Sequence, residues 1–532
     1  MKKKVTVVIA SAAKQSQPLA NRQVARLSRR LRANVSVFVA NSASCNDKLS
    51  QPAWRQEFPP DAHPPIFLKG GICSPPDKGE PEGVSAKLRA LDKQLVWHPF
   101  TQMAEWAETD NIVIESGNGS YLVDTDGRRY LDGTASLWVN VHGHRKKELD
   151  DAIKRQIDRI SHSTLLGLAN VPSIELAQRL MEVVPKGLEK VFYSDNGSTA
   201  VEIALKLAFQ YWEQTQIKNR KRKFIAFTGA YHGDTFGSMS VGEIDIFVKK
   251  YRPLLFDCFR SPYPYCYRCP IGKTPKGCGL ACLGVFEEIL KKHHLDIAAC
   301  VIEPLLQGAA GMITNPKGFL KEVRRLTTKY DVLLIADEVA TGFGRTGSLF
   351  ACDKERISPD ILCLAKGLTG GYLPLAATLT TKRIYDAFLG DYSEYKSFFH
   401  GHTYTGNPLG CAAAIANIDL FKKERIIERL KPKVKLFASL LKKFNGLAHV
   451  GDVRHIGLCA GIELVKDKKT KEPFGHSERI GHRVCMEARQ HGLIIRPLGD
   501  TIVIMPPLAI KDTELKKMTA IVYECISLVA VL

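Results

Sequence analysis

What the chain lacks narrows it first. Among its 532 residues no apolar run approaches the roughly 20 that would cross a bilayer, which excludes a helical integral membrane protein. No segment repeats along its length. No convincing signal peptide opens it, because the apolar run in KKKVTVVIA is too short. The first 46 residues contain no acid, and no methionine separates Met1 from Met103. Fourteen cysteines scattered through a chain without such a leader imply a reducing, cytoplasmic setting with free thiols.

What is present is ordinary for a globular protein: 45% hydrophobic and 24% charged residues, in a chain long enough to bury a sizeable core. The net charge of +20 raises nucleic-acid binding as a hypothesis. Its distribution weakens that reading, since residues 1–90 hold 15 Lys and Arg against 6 Asp and Glu, an excess of 9. Residues 1–86 are rich in Ser, Ala, Arg and Pro and lack sustained periodicity. They are expected to be disordered, or to be a mis-assigned extension whose true start, at a codon such as that of Val84, is not Met. The acid-free first 46 residues also resemble a transit peptide.

From LVWHPF onward the pattern tightens. Residues 112–133 alternate apolar and polar positions between turn signals and predict a small antiparallel hairpin. Apolar strands (VFYSD, KFIAFTG, IAACVIEP, VLLIADEV, ILCLAK) then alternate with helical patterns, which predicts an α/β sheet covered on both faces. Residues 87–160 and 412–532 are assigned to a smaller α/β domain built from both chain ends. Residues 161–411 form the large domain, with a Cys-rich insertion at 264–284.

In open α/β sheets ligands sit beyond the carboxyl ends of strands, so residues there are the candidates. Lys366 ends the apolar run of LCLAKGLTGG. An ammonium in such surroundings is costly, and it becomes either a snorkelling charge or a desolvated nucleophile. The glycines after it leave room for a ligand and a partner loop. Gly197 and Ser198 open a long apolar helix, a ready anion site, with Thr199 and Glu202 at capping-box spacing. Asp337 and Glu338 end another strand and call for a cationic or protonated partner. Tyr231 and His232 end a third, where a ring can stack on a planar ligand. Gly401, His402 and Thr403 offer small donors on a loop. Taken singly, each reads equally as a cap, an ion pair or a loop. Together they suit one ligand, a phosphorylated planar aldehyde with a ring nitrogen: pyridoxal 5′-phosphate.

GFGRTG, residues 342–347, matches the dinucleotide fingerprint and follows a strand. The residues after it carry no helical stripe, so a nicotinamide oxidoreductase ranks well below the pyridoxal reading.

LWVNVHGH, DNGSTAVE, YHGDTFGSMSVG, IEPLLQGAAGM, IADEVATGFGRTG, LAKGLTGG and GHTYTGNPLG resemble the class III, fold-type-I aminotransferases. The opening LVWHPFTQM narrows the resemblance to the branch that aminates 8-amino-7-oxononanoate in biotin synthesis. The resemblance runs from about residue 91 to the C-terminus. It implies a mainly parallel seven-stranded sheet between helices, and a homodimer with active sites at the interface. It implies that Lys366 bonds the cofactor aldehyde, Asp337 pairs with the ring nitrogen and Tyr231 stacks on the ring. Gly197 and Ser198 would hold the phosphate, helped by His402 and Thr403 from the neighbouring subunit. Gly401 and Trp138 would fall on the substrate path and Arg496 on the substrate carboxylate. Phe100 and Leu137 depart from the usual tyrosine and tryptophan. S-adenosylmethionine is the expected amino donor, with lysine the alternative, or the chain is another class III ω-amino acid enzyme.

The core chemistry does not need Cys266, Cys269, Cys278 and Cys282, spaced C-x2-C-x8-C-x3-C. Four thiolates at that spacing suit zinc or an iron–sulfur cluster, with Arg268, Lys273 and Lys276 favouring ionisation. Reduced cysteines in a surface loop are the alternative, and no metal is assigned.

Overall fold

The computed structural model describes residues 81–215 and 220–529. Residues 1–80, the bulk of the segment expected to be disordered, lie outside the described residues. A helix, Pro81–Leu95, already covers the last six residues of that segment. It is tied down by Ser85, 1% exposed, whose Oγ bonds Thr125 Oγ1 at 2.7 Å.

The region expected to be a hairpin forms three antiparallel strands, β1 (Ile114–Asn118), β2 (Tyr121–Asp124) and β3 (Arg129–Asp132). The large sheet follows: β4 (Leu188–Ser194), β5 (Lys223–Phe227), β6 (Cys258–Ser261) and β7 (Ile297–Ile302). After a small ribbon of β8 (Leu306–Gln307) and β9 (Ile313–Thr314), β10 (Leu333–Asp337), β11 (Ile361–Leu364) and β12 (Ala376–Thr381) complete it. The C-terminal part supplies β13 (Val450–Ile456), β14 (Cys459–Leu464), β15 (Leu493–Ile494), β16 (Arg496–Leu498) and β17 (Thr501–Ile504).

The large sheet has seven strands in the order β4-β12-β11-β10-β7-β5-β6. All its neighbours run parallel except β12, which is antiparallel to both β11 and β4. Its middle strands are apolar at every position except the Asp337 that ends β10, because both faces are covered. In β10, Leu333 and Ile335 pack towards helix Gly197–Thr215, while Leu334 and Ala336 join the core on the opposite face.

A four-stranded sheet, β13-β14-β17-β16, lies at the C-terminal end, and β15 adds in parallel to β3 of the N-terminal meander. The smaller sheets thus draw on both chain ends. Helix Pro408–Lys423 runs through residue 411, the expected domain boundary, because its apolar residues pack on helices Lys147–Ile157 and Val171–Val183. GFGRTG opens no long helix. Only Ala351–Glu355 follows, and a Cβ on Gly344 would lie 2.6 Å from Leu508 Cδ1, so these glycines serve packing against the chain itself.

Candidate active site

Several strand ends converge on one cavity of about 520 Å³, within the usual range for a small-molecule site. Lys366, Asp337, Tyr231, Gly197, Ser198 and Trp138 all line it.

Lys366 follows β11 through Ala365 and adopts a φ of 44°, left-handed backbone that a side chain rarely accepts outside a constrained site. Asn417 secures the turn by donating to Gly367 O and Leu368 O, each at 2.9 Å. The glycines beyond it make room for the chain's own backbone: a Cβ on Gly371 would lie 3.0 Å from Asn140 Cα. The amine stands 4.9 Å from the centre of the Trp138 ring. Desolvation lowers its pKa, opposed by the nearby Asp337 and Glu303 carboxylates and reinforced by Arg345.

Asp337, 5% exposed at the end of β10, finds its partner in His232, whose Nδ1 lies 2.7 Å from Asp337 Oδ2. Val339 N–H donates to the other oxygen at 3.0 Å. Glu338 points elsewhere and caps helix Ala351–Glu355, accepting from Ala351 N at 2.6 Å and Cys352 N at 2.8 Å. Glu303, absent from the sequence candidates although it ends the apolar run of β7, follows that strand into the same cavity. Its carboxylate accepts from Tyr231 N at 3.1 Å and Gly308 N at 2.9 Å. Burial pushes Glu303 up to about 7, with His232 pulling it down and Asp337 adding to the rise.

The amide-bearing start of helix Gly197–Thr215 forms the far wall, but the expected capping box does not form. Asn196 Oδ1 takes Thr199 N–H at 3.0 Å. Glu202 instead reaches across to accept from Gly237 N at 2.7 Å and Ser238 N at 3.1 Å. Gly197 is small because a Cβ there would lie 2.6 Å from Val339 Cγ1, so its value lies in wall packing. Ser198 Oγ accepts from Asp234 N at 3.0 Å, and Tyr231 Oη donates to Asp234 Oδ2 at 2.8 Å, locking helix start and aromatic wall together.

Gly401, His402, Thr403 and Arg496 do not reach this cavity within one chain. The first three sit on a largely exposed loop, and His402 Nε2 is buried without a partner among the described residues. Arg496 lies 6.0 Å from the Phe100 ring, which packs edge-on to Phe247 at 5.2 Å, which in turn packs on Tyr231 at 5.7 Å. A row of rings thus leads from the cavity wall to the guanidinium.

The four cysteines of the insertion, Cys266, Cys269, Cys278 and Cys282, are all free. Among the described residues no group of three or more His, Cys, Asp or Glu is arranged to hold one. Burial pushes the Cys282 thiol up to about 11 and raises Cys266 as well. Arg268 is committed elsewhere, to Glu463 at 2.7 Å.

This constellation defines a pyridoxal-dependent aminotransferase site, and the chain belongs to the class III aminotransferases: the family model Aminotransferase class-III matches residues 102–526. Among its relatives is the adenosylmethionine-8-amino-7-oxononanoate aminotransferase of Geobacter sulfurreducens, 57% identical over 436 residues, covering 82% of this chain and 96% of that one. The solved structure of the enzyme of that name from Methanocaldococcus jannaschii superposes with a TM-score of 0.79 at 47% identity, covering 83% of this chain and 98% of that chain. A Pseudomonas jessenii omega transaminase in complex with PMP gives the same TM-score, 0.79, at 30% identity, covering 82% and 97%.

Enzymes of this family depend on pyridoxal 5′-phosphate, and the residues present fit it. An amine of lowered pKa, a carboxylate backed by a histidine, an aromatic wall and a helix start rich in free amides surround one cavity of suitable size. The unpartnered, buried Nε1 of Trp138 adds a donor on the same wall.

Proposed function

We propose that the protein transfers an amino group from S-adenosylmethionine to 8-amino-7-oxononanoate, giving 7,8-diaminononanoate for biotin synthesis, as a cytoplasmic homodimer with shared active sites. The observation that carries the reading is the cavity joining Lys366, Asp337 and the Gly197–Ser198 helix start, in a chain 57% identical to a relative of that name. All twelve described cysteines are free, which suits a reducing compartment. Tyr392, Tyr395, Phe399 and Tyr404, each more than 60% exposed around the 401–403 loop, support an interface there.

Pyridoxal phosphate, when bound, supplies the electron sink that makes the α-hydrogen of an amine acidic. Lys366 holds the cofactor through its aldehyde. Its Nζ would take the α-proton of the donor amine, a role that the pKa-lowering burial of the amine favours. Asp337, held by His232, keeps a proton on the ring nitrogen. The amides of Gly197 and Ser198 hold the phosphate with the helix dipole, joined by His402 and Thr403 of the second subunit. Tyr231, on the cavity wall, would stack on the ring. Trp138 and Gly401 flank the substrate, and Arg496, whose guanidinium lies over the Phe100 ring, takes its carboxylate.

Lysine as donor is the second reading, raised by the departures at Phe100 and Leu137 from the usual tyrosine and tryptophan. A coupled assay for diaminononanoate with S-adenosylmethionine and lysine in competition separates the two. Lys366→Ala should lower turnover by more than ~10³-fold and remove the borohydride-reducible chromophore. Substantial activity in that variant would sink the assignment.

A further inference from the structure

Trp138 reaches the cavity from a backbone its own residues disfavour. Ala135, Ser136, Leu137 and Trp138 have φ values of 49°, 47°, 69° and 69°, a complete left-handed turn without a glycine. Such a run persists only where its surroundings over-determine it.

Those surroundings centre on Asp132, 0% exposed at the end of β3. Its Oδ1 accepts from Ser136 N at 3.0 Å and Thr134 N at 3.3 Å, and its Oδ2 from Ser136 Oγ at 2.7 Å. His144 Nε2 lies 3.1 Å from the same Oδ2. The amide of Asn140 is oriented by Gly143 N–H, which donates to its Oδ1 at 2.7 Å. Its Nδ2 therefore donates to His144 Nδ1 at 3.2 Å, which leaves the Nε2–H for Asp132. Just past the turn, the buried Arg345 donates to Asn140 O at 2.7 Å and Pro506 O at 2.8 Å. The turn is pinned on both sides, with the Trp138 ring 6% exposed over the Lys366 amine and Leu137 left 47% exposed at the tip.

We propose that Asp132, with Ser136 and His144, is a clasp that holds this left-handed turn and thereby positions Trp138 for recognition of the amino substrates. Asp132 is a positioning residue and touches neither substrate nor cofactor. The inference rests on the aminotransferase reading and on Trp138 lining the substrate path.

Glycine adopts the left-handed conformation without strain, and this provides the test. Ser136→Ala and Ser136→Gly both delete the hydroxyl bond to Asp132, but only glycine relieves the backbone. With purified holoenzyme, Ser136→Ala should raise the KM of both substrates about threefold or more, with kcat and the cofactor's visible absorbance near wild type, while Ser136→Gly stays near wild type. Asp132→Asn should raise KM about tenfold or more, and adding Ser136→Gly to it should restore most of the loss although no carboxylate returns. Equal behaviour of the alanine and glycine variants, an unchanged KM in Asp132→Asn, or a KM defect that glycine does not relieve would overturn the clasp. The Ser136 pair decides the matter even if Asp132→Asn fails to fold. A wild-type enzyme that aminates nothing with either donor overturns the aminotransferase reading, and the clasp with it.

Discussion

Gly233 carries the tightest single-residue constraint near the cavity. Its φ is 121°, and a Cβ there would lie 1.8 Å from Ser198 Oγ and 2.8 Å from Ser198 Cα. Rotating the serine cannot relieve a clash with backbone, so Gly233→Ala must displace the helix start or the Tyr231–Asp234 loop. The expected cost is about 1–3 kcal/mol of stability. Pyridoxal phosphate binding should also weaken by roughly tenfold or more, since one factor of ten needs only ~1.4 kcal/mol at the phosphate-facing amides. Thermal unfolding and an absorbance titration with the cofactor check both. His232 and Trp138 belong to the same scale: one backs Asp337, the other faces the Lys366 amine, and each has a ring N–H or nitrogen without a partner among the described residues.

At the scale of elements, buried carboxylates tie strand ends to neighbouring helices and give the fold a pH signature. Burial pushes Glu338 up to about 7, while its backbone hydrogen bonds from Cys352 and Ala351 oppose the rise. Its folded-state pKa therefore lies above the unfolded value of about 4.3. The stability it contributes is fully present below that lower value and is lost as pH rises through the folded pKa. The melting temperature of the wild type relative to Glu338→Gln should accordingly fall by roughly 2–4 °C between about pH 4 and pH 8. A difference that stays flat across that window would count against it. The strand ends were legible because parallel strands buried on both faces are nearly continuous apolar runs, and the residue that ends each run is conspicuous. The links between them were not. Asp337 and His232 stand 105 residues apart in the chain. Glu202 has capping-box spacing from Thr199 yet serves a different helix, because Asp195 and Asn196 already engage Thr199. Nothing in Ala-Ser-Leu-Trp announces a left-handed turn, since that conformation is imposed by Asp132 from outside the four residues.

The whole molecule raises the question of how many chains build the site. Gly401, His402 and Thr403 stand apart from the cavity, on a segment bracketed by exposed aromatic rings. If a second subunit brings these residues to the phosphate, two inactive variants should repair one another. Lys366→Ala and His402→Ala/Thr403→Ala homodimers are each expected to be nearly inactive. Co-expressed, they should regain about a quarter of wild-type activity, because half of randomly paired dimers carry one intact site of two. No regain on mixing would place the 401–403 loop outside the active site. The strand-to-helix turn at Gly197 and the apolar sheet were readable from one chain; which surface meets a copy of the chain was not, because no pattern within a chain encodes it.

The pairing of β15 with β3 sets Leu493 beside Leu131, and Gly133 N–H donates to Ile494 O at 2.8 Å. On a ribosome the nascent chain must extend beyond Ile494 before the strand that ends in Asp132 gains this neighbour. The large sheet, closed by residue 381, can assemble while translation continues. The Trp138 side of the cavity is thus completed last, and a message truncated shortly before codon 493 would yield a protein whose β3 lacks its parallel neighbour.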